Sequence, residues 1–291
     1  MQHGNNKLKF LIIIPAYNEE QSIKDCLQSL LQQSTPPEKI IVVNDSSTDS
    51  TGDIVKSIAT QYPAIDYKEH KSDAEHRPGS KVINAFNYGL EDETIDDYDI
   101  ICKFDADLIF PETYLEAIEN VFATDSEIGL CGGVCAVEKD GKWVIENITN
   151  PDHVRGALKA YRVDAFKSIN GLANQMGWDT ADEFKLRYAG WKVSVENKLV
   201  VKQTKPTAVS YQEAYFKKQG EVFYSLRYDS FLLLIAAIKI ALNRNSFPGI
   251  FIIINGYLKA RKSKLPFLLT REEGKYLRAY RYKGIKRKLF K

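Results

Sequence analysis

Apolar residues along this chain follow two rhythms. Phe10–Pro15 (FLIIIP) is a continuous apolar run, the pattern of a strand buried on both faces of a parallel sheet. The next stretch, EEQSIKDCLQSLLQQ, sets Ile23, Leu27, Leu30 and Leu31 at helical spacing. Lys39–Asp45 (KIIVVND) predicts a second buried strand, and STDSTGDIVKSIATQY opens with capping residues before turning helical. AIDYKEH predicts a third strand, RPGSKVINAFNYGL a turn entering a helix, and Tyr98–Asp107 (YDIICKFDAD) a fourth strand. PETYLEAIENVFA starts a helix at Pro111, where the missing N–H costs nothing, and IGLCGGVCAVE predicts a further strand. Strands alternating with helices imply right-handed crossovers and an α/β fold, a mostly parallel sheet flanked by helices.

The pattern changes near Thr204–Pro206, which divides the chain into residues 1–205 and 206–291. Beyond it, YDSFLLLIAAIKIAL and FPGIFIIINGYL are runs of about a dozen residues, the length of buried or interfacial helices rather than membrane spans. They either pack as a helix pair or lie along a membrane surface. A basic extension follows.

At 44% hydrophobic and 27% charged residues, the chain is globular in composition, which excludes disordered, collagen-like and fibrous classes. No apolar run is long enough for a polytopic membrane protein, and no apolar segment precedes Leu11 as a secretory signal would. Four cysteines suit reduced thiols better than a disulfide framework; Cys131 and Cys135 lack the second pair a zinc site needs. Charge is uneven. Lys259–Lys291 holds thirteen Lys/Arg and two Glu, so the segment carries +11 and the remainder −9 within a net +2. That asymmetry predicts an anionic partner. No nucleic-acid-binding module is recognisable, which favours an anionic membrane surface over nucleic acid. The expected location is cytoplasmic, peripheral on the inner face of the cell membrane.

In an open α/β sheet, ligands bind beyond the carboxyl ends of the strands. Four polar stretches fall there: PAYNEE (Pro15–Glu20), NDSSTDST (Asn44–Thr51), HRPGSK (His76–Lys81) and FDADLIFP (Phe104–Pro111). Asp105 and Asp107 repel each other unless a cation or a proton intervenes. Mg²⁺ or Mn²⁺, held by one or two carboxylates plus substrate phosphates, resolves this; a capping Asp beside a solvated Asp is the alternative. Asp45 suits hydrogen bonding to a base or ribose, or turn formation with Ser46 and Ser47. Lys81 suits a diphosphate, or is a surface lysine.

Together, IIIPAYNEE, then VVNDSSTDST, then FDAD resemble, in order and spacing, the family-2 glycosyltransferases of the GT-A fold. The resemblance covers roughly residues 8–200. It implies inverting transfer of a sugar from a nucleotide-sugar donor, usually UDP-linked, to an acceptor hydroxyl. It puts Pro15, Ala16, Tyr17 and Glu19 on the nucleotide side and Asp45 against the base. Asp105 and Asp107 become a DXD motif that holds Mn²⁺ or Mg²⁺, with Asp105 near ribose or sugar. Asn84 matches an Asn common in that helix. Cell-surface polysaccharide or glycolipid synthesis follows, with a saccharide or lipid-linked acceptor.

Inversion needs a base for the acceptor proton. GWDTADEFKLRYAGW (Gly177–Trp191) offers Asp179, Asp182 and Glu183 on one helical face, near a helix N-terminus that favours their ionised forms. It resembles the family's acidic motif, with Leu186, Arg187, Gly190 and Trp191 following. The usual Glu-Asp pair, however, falls on or near Thr180-Ala181, and a WDTxDE subgroup is the closer parallel. Asp182 is the expected base, Glu183 the second choice and Asp179 the third; a charged helix start without chemistry is the alternative. Where many relatives carry a His, this chain has Lys202 and Gln203. Lys202 or Lys205 then suits the leaving phosphates, and Gln203 a phosphate-bound water. Two other functions fit less of the sequence: a non-catalytic nucleotide-sugar or polysaccharide-binding module, and a glycoside hydrolase with paired carboxylates.

Overall fold

The computed structural model describes residues 7–71, 80–146, 151–205 and 212–289. The first half of the chain runs β1 (Phe10–Ala16), α1 (Ile23–Leu31), β2 (Lys39–Asp45), α2 (Thr51–Ala59), β3 (Ile65–His70), α3 (Ser80–Leu90), β4 (Ile100–Phe104), β5 (Leu108–Ile109) and α4 (Tyr114–Thr124). It continues through β6 (Ile128–Lys139), β7 (Lys142–Ile145), β8 (Leu158–Arg162), α5 (Val163–Ser168), α6 (Trp178–Tyr188) and β9 (Lys192–Gln203). Four helices close the chain: α7 (Gln212–Ser225), α8 (Ser230–Asn243), α9 (Pro248–Lys262) and α10 (Arg271–Leu289). These elements form two compact units, Met1–Gln175 with Ala189–Pro206, and Met176–Tyr188 with Thr207–Lys291. The acidic helix α6 therefore belongs with the C-terminal helices. The HRPGSK loop up to Gly79 lies outside the described residues.

The first unit is a sheet in the order β3-β2-β1-β4-β8-β6-β9-β5, with β7 paired to β6. The β3-β2-β1-β4 half is parallel, as buried apolar strands joined by helices should be. Beyond β4 the sheet is mixed: β8 is antiparallel to β4 and β6, whereas β9 is parallel to β6 and antiparallel to β5. Strand alternation divides the core. Phe10, Ile12, Ile14, Ile40 and Val42 pack against Leu27 and Leu30 of α1, Val55 of α2, and Tyr114 and Ile118 of α4. The opposite face takes α3 so closely that a Cβ on Gly89 would lie 2.7 Å from Ile13 Cγ2. The β6 strand carries register shifts against β9 around its glycines. A side chain at Gly133 would sit 2.2 Å from the Leu199 carbonyl, so glycine is what lets these two strands meet there.

The second unit is helical. The α7 and α9 helices cross closely through Gly220 and Gly256; a Cβ on Gly256 would stand 2.3 Å from the Lys217 carbonyl oxygen. Asp229 caps α8 by accepting from the Leu232 amide at 2.9 Å. On α6, Phe184 meets Tyr280 of α10 edge to face at 5.5 Å between centroids.

Candidate active site

The carboxyl ends of β1, β2 and β4 carry the polar loops singled out from sequence. The β1 loop leaves the strand through exposed Tyr17 and half-buried Asn18, the latter at φ 54°. It is laced to the β2 loop. The Asn18 amide donates to Ser47 Oγ at 3.0 Å, and the Thr48 amide to Asn18 Oδ1 at 2.8 Å. The Glu19 amide donates to Thr51 Oγ1 at 2.7 Å, and the Ser50 amide to Glu20 Oε2 at 3.0 Å. These bonds satisfy backbone groups that the ends of two parallel strands would otherwise leave without partners.

Asp45 ends β2 almost wholly buried, and His70 Nδ1 of β3 lies 2.9 Å from its Oδ1. The His70 ring packs at 4.7 Å on Tyr88 of α3. Beside it, Asn44 Nδ2 donates to Tyr67 Oη at 3.1 Å, while its buried Oδ1 has no hydrogen-bond partner among the described residues. His70 was not singled out from sequence; its place as the last residue of a strand paired with β2 was the available signal.

Asp105 and Asp107 lie in the turn between β4 and β5. The strand is shorter than expected and ends at Phe104, which sets both carboxylates beyond the sheet rather than on it. The Asp105 amide donates to the Ala157 carbonyl at 3.1 Å. Its Oδ1 is in contact with Nζ of Lys103, a lysine buried inside β4. Lys103 was also missed, although it is the one charge in the apolar run IICKF.

Asp107 is 8% exposed. Burial, followed by the charge of Asp105, raises its carboxyl to about 6, and the charge of Glu19 adds to the rise. Opposing this, Gln203 Nε2 at the end of β9 donates to Asp107 Oδ2 at 3.0 Å. The Thr204 amide and hydroxyl both donate to the Asp107 carbonyl, at 2.9 and 3.1 Å. The other amide atom of Gln203, Oε1, is buried with no hydrogen-bond partner among the described residues.

Lys205 completes the corner. Its ammonium lies 2.7 Å from Glu19 Oε2 and donates to the Asn18 carbonyl at 2.9 Å. Lys202, one residue before Gln203, alternates to the other side of the strand and sets its ammonium 5.2 Å from the Trp143 ring centroid. One cluster thus holds Glu19, Asp105, Asp107, Gln203 and Lys205. Lys81 stands in the first turn of α3, and Asn84, one turn on, accepts from Asn174 Nδ2 at 3.0 Å.

Among the described residues, no group of three or more His, Cys, Asp or Glu is arranged to hold a metal ion alone. The corner does fit a hard cation shared with a phosphate ligand. It offers two carboxylates, one of them destabilised as a buried anion, and an orphaned amide oxygen beside them. The four thiols are buried and unpaired.

Asp179, Asp182 and Glu183 sit on α6 of the second unit, Asp179 half-buried and the other two almost wholly buried. Asp182 Oδ1 accepts from the Glu183 amide at 2.6 Å. Glu183 Oε2 takes Arg187 Nη1 at 3.0 Å, one turn along. That guanidinium also rests over the Tyr280 ring at 5.5 Å.

Buried parallel strands, acidic loops at their carboxyl ends and a carboxylate corner together describe an α/β fold with a polar ligand site at its strand ends. The sequence pattern of "Glycosyl transferase family 2" matches residues 11–172, more than half of the chain, and the chain belongs to that family. It is 32% identical over 123 residues to the undecaprenyl-phosphate mannosyltransferase of Micrococcus luteus, covering 42% of this chain and 48% of that protein. Among solved structures it resembles mannosyltransferase PcManGT from Pyrobaculum calidifontis in complex with GDP-Man and Mn²⁺. The TM-score is 0.58 at 18% identity, covering 96% of this chain and 87% of that one. It also resembles S. aureus TarS 1-349 in complex with UDP-GlcNAc, with a TM-score of 0.58 at 17% identity, covering 79% of this chain and 71% of that one. At these identities the likeness is one of fold, and the fold is the GT-A fold expected from the motifs. The chain spans about half or less of the length of the curated relatives it matches.

Proposed function

We propose that the chain transfers a sugar, with inversion, from a UDP-linked donor to an acceptor hydroxyl, assisted by Mn²⁺ or Mg²⁺, in cell-surface polysaccharide or glycolipid synthesis. Two bound neighbours support a nucleotide-sugar donor, GDP-Man with Mn²⁺ in one and UDP-GlcNAc in the other. The mannosyltransferase relative, named for undecaprenyl phosphate, supports a lipid-linked or saccharide acceptor. The observation that carries the reading is the Asp107–Gln203 corner, where a buried carboxylate is raised in pKa beside an amide oxygen that has no hydrogen-bond partner among the described residues.

In this reading Asp45, steadied by His70, accepts from the base, and Pro15, Ala16, Tyr17 and Glu19 line the nucleotide side. Lys81 faces the diphosphate. Asp105 and Asp107 hold the cation, which when bound neutralises charge on the departing diphosphate. Lys103 anchors Asp105 through the contact of its ammonium with Oδ1, and Gln203 orients Asp107 through Oδ2. Asp182 takes the acceptor proton as the new bond to the anomeric carbon forms and the bond to the diphosphate oxygen breaks. Glu183 is the weaker candidate because Arg187 already neutralises it, and Asp179 stands third.

Donor hydrolysis and transfer, followed over a panel of nucleotide sugars with and without Mn²⁺, test this. Asp107→Ala should lower metal-dependent turnover by about a thousandfold, the scale of losing several kcal/mol of charge stabilisation. Undiminished turnover would contradict the assignment. UDP binding with no transfer or hydrolysis for any donor would point instead to a binding module.

A further inference from the structure

The second unit turns an apolar surface outward. The α8 helix has only Ser230, Lys239 and Asn243 as polar residues. Leu232, Leu233, Ala237 and Ala241 fill its buried side. Its other side is equally apolar: Phe231, Leu234, Ile238 and Leu242 follow one another at helical spacing and all are exposed. The turn Arg244–Phe247 leads into α9, where Phe247 and Phe251 are each 75% exposed and Leu258 is 53% exposed. A helix apolar all round that is not enclosed by protein has an unmet partner.

The charge beside this surface identifies that partner. No acidic residue occurs between Ser230 and Thr270. Exposed Lys259, Arg261 and Lys262 end α9, and exposed Lys286, Arg287 and Lys288 end α10. The α10 helix runs against α8. Tyr282 Oη donates to Asp229 Oδ1 at 2.6 Å, and its ring lies 6.1 Å from that of Phe231. The ammonium of Lys239, midway along α8, is lowered in pKa by desolvation and then by the charges of Lys288 and Arg281, which places those cations near the apolar stripe. A second copy of the same surface would set these like charges against one another. An anionic bilayer instead offers acyl chains to the aromatics and phosphates to the cations. Among the described residues, no helix is long and apolar enough to cross a membrane.

We propose that the outward faces of α8 and α9, with the basic ends of α9 and α10, form a site that docks flat on an anionic lipid surface. The proposal does not depend on the sugar-transfer reading.

Co-sedimentation of the full chain with vesicles tests it. The chain should pellet with phosphatidylglycerol mixed into phosphatidylcholine, and far less with phosphatidylcholine alone. The triple variant Phe231→Ser, Leu242→Ser, Phe251→Ser should lose about tenfold in partitioning with an unchanged melting temperature, since these side chains are already exposed. Lys286→Glu with Arg287→Glu and Lys288→Glu should abolish the preference for anionic lipid and its weakening by salt. Wild-type chain that stays in the supernatant with anionic vesicles overturns the proposal. So does a dimer, dissociated by the apolar triple variant, that ignores vesicles, because a second copy would then be the occupant.

Discussion

The two units place their strain differently. In the sheet unit strands β1, β2 and β4 bury their aliphatic side chains and the anomaly is charge: Lys103, Asp45 and Asp107 are all nearly inaccessible. In the helical unit, away from α6, the anomaly is apolar: Phe231, Leu242, Phe247, Phe251 and Leu258 are more than half exposed. Both features cost stability in isolation, one through desolvated charge and the other through apolar surface left in water. A protein keeps such features where a ligand will meet them. The comparison therefore separates the Asp107 corner of the first unit from a docking surface on α8 and α9 of the second.

The largest effect expected on this account is on the chemistry. Asp182→Asn should suppress transfer by about a hundredfold or more, the usual worth of a general base, while donor affinity measured by calorimetry stays nearly unchanged. A normal transfer rate would move the base to Glu183 or Asp179.

A pair of truncations sharpens the contrast in packing. Leu27→Ala on α1, in a fully buried position of the sheet unit, should cost about 2–5 kcal/mol in denaturant unfolding. Phe251→Ser should change stability by no more than about 0.5 kcal/mol. Equal costs would mean that the α9 face is packed in solution and that the two units do not differ in this way.

A pH-dependent effect concerns Asp107 in the metal-free chain. Its folded carboxyl titrates at about 6 against 3.8 when unperturbed, so between those values the folded state binds more protons than the unfolded state. Stability from this group is greatest in acid and declines as pH rises through that window. Asp107→Asn removes the buried charge. The variant should match the wild type near pH 4 and exceed it by about 2 kcal/mol above pH 7, read as a pH-dependent difference in unfolding free energy. A variant less stable than the wild type at every pH would show that the carboxylate is not held at a cost.

Much of this was legible in sequence, for identifiable reasons. Strands β1, β2 and β4 are continuous apolar runs, so their carboxyl ends, and with them Asp45, Asp105 and Asp107, followed directly. The mixed half of the sheet did not follow, because β6 and β9 are long, β6 shifts register at its glycines, and the two pair across some sixty residues of sequence. The link between Asp107 and Gln203 spans 96 positions and exists only through the β5–β9 register. Lys103 was hidden because a lysine in an apolar strand reads as an edge residue until its carboxylate partner is seen. Assignment of α6 to the helical unit rests on packing, which periodicity does not record. Nor does the composition of α8 distinguish a buried helix from one that faces lipid, since both are apolar all round.

The most direct test follows free Mn²⁺ by electron paramagnetic resonance as the chain is added with and without UDP. With only two carboxylates and an amide oxygen from the protein, Mn²⁺ should be captured strongly only when UDP is present, and Asp107→Ala should abolish that capture. Equal capture by the variant, or capture that is indifferent to UDP, would contradict a cation shared between this corner and a diphosphate.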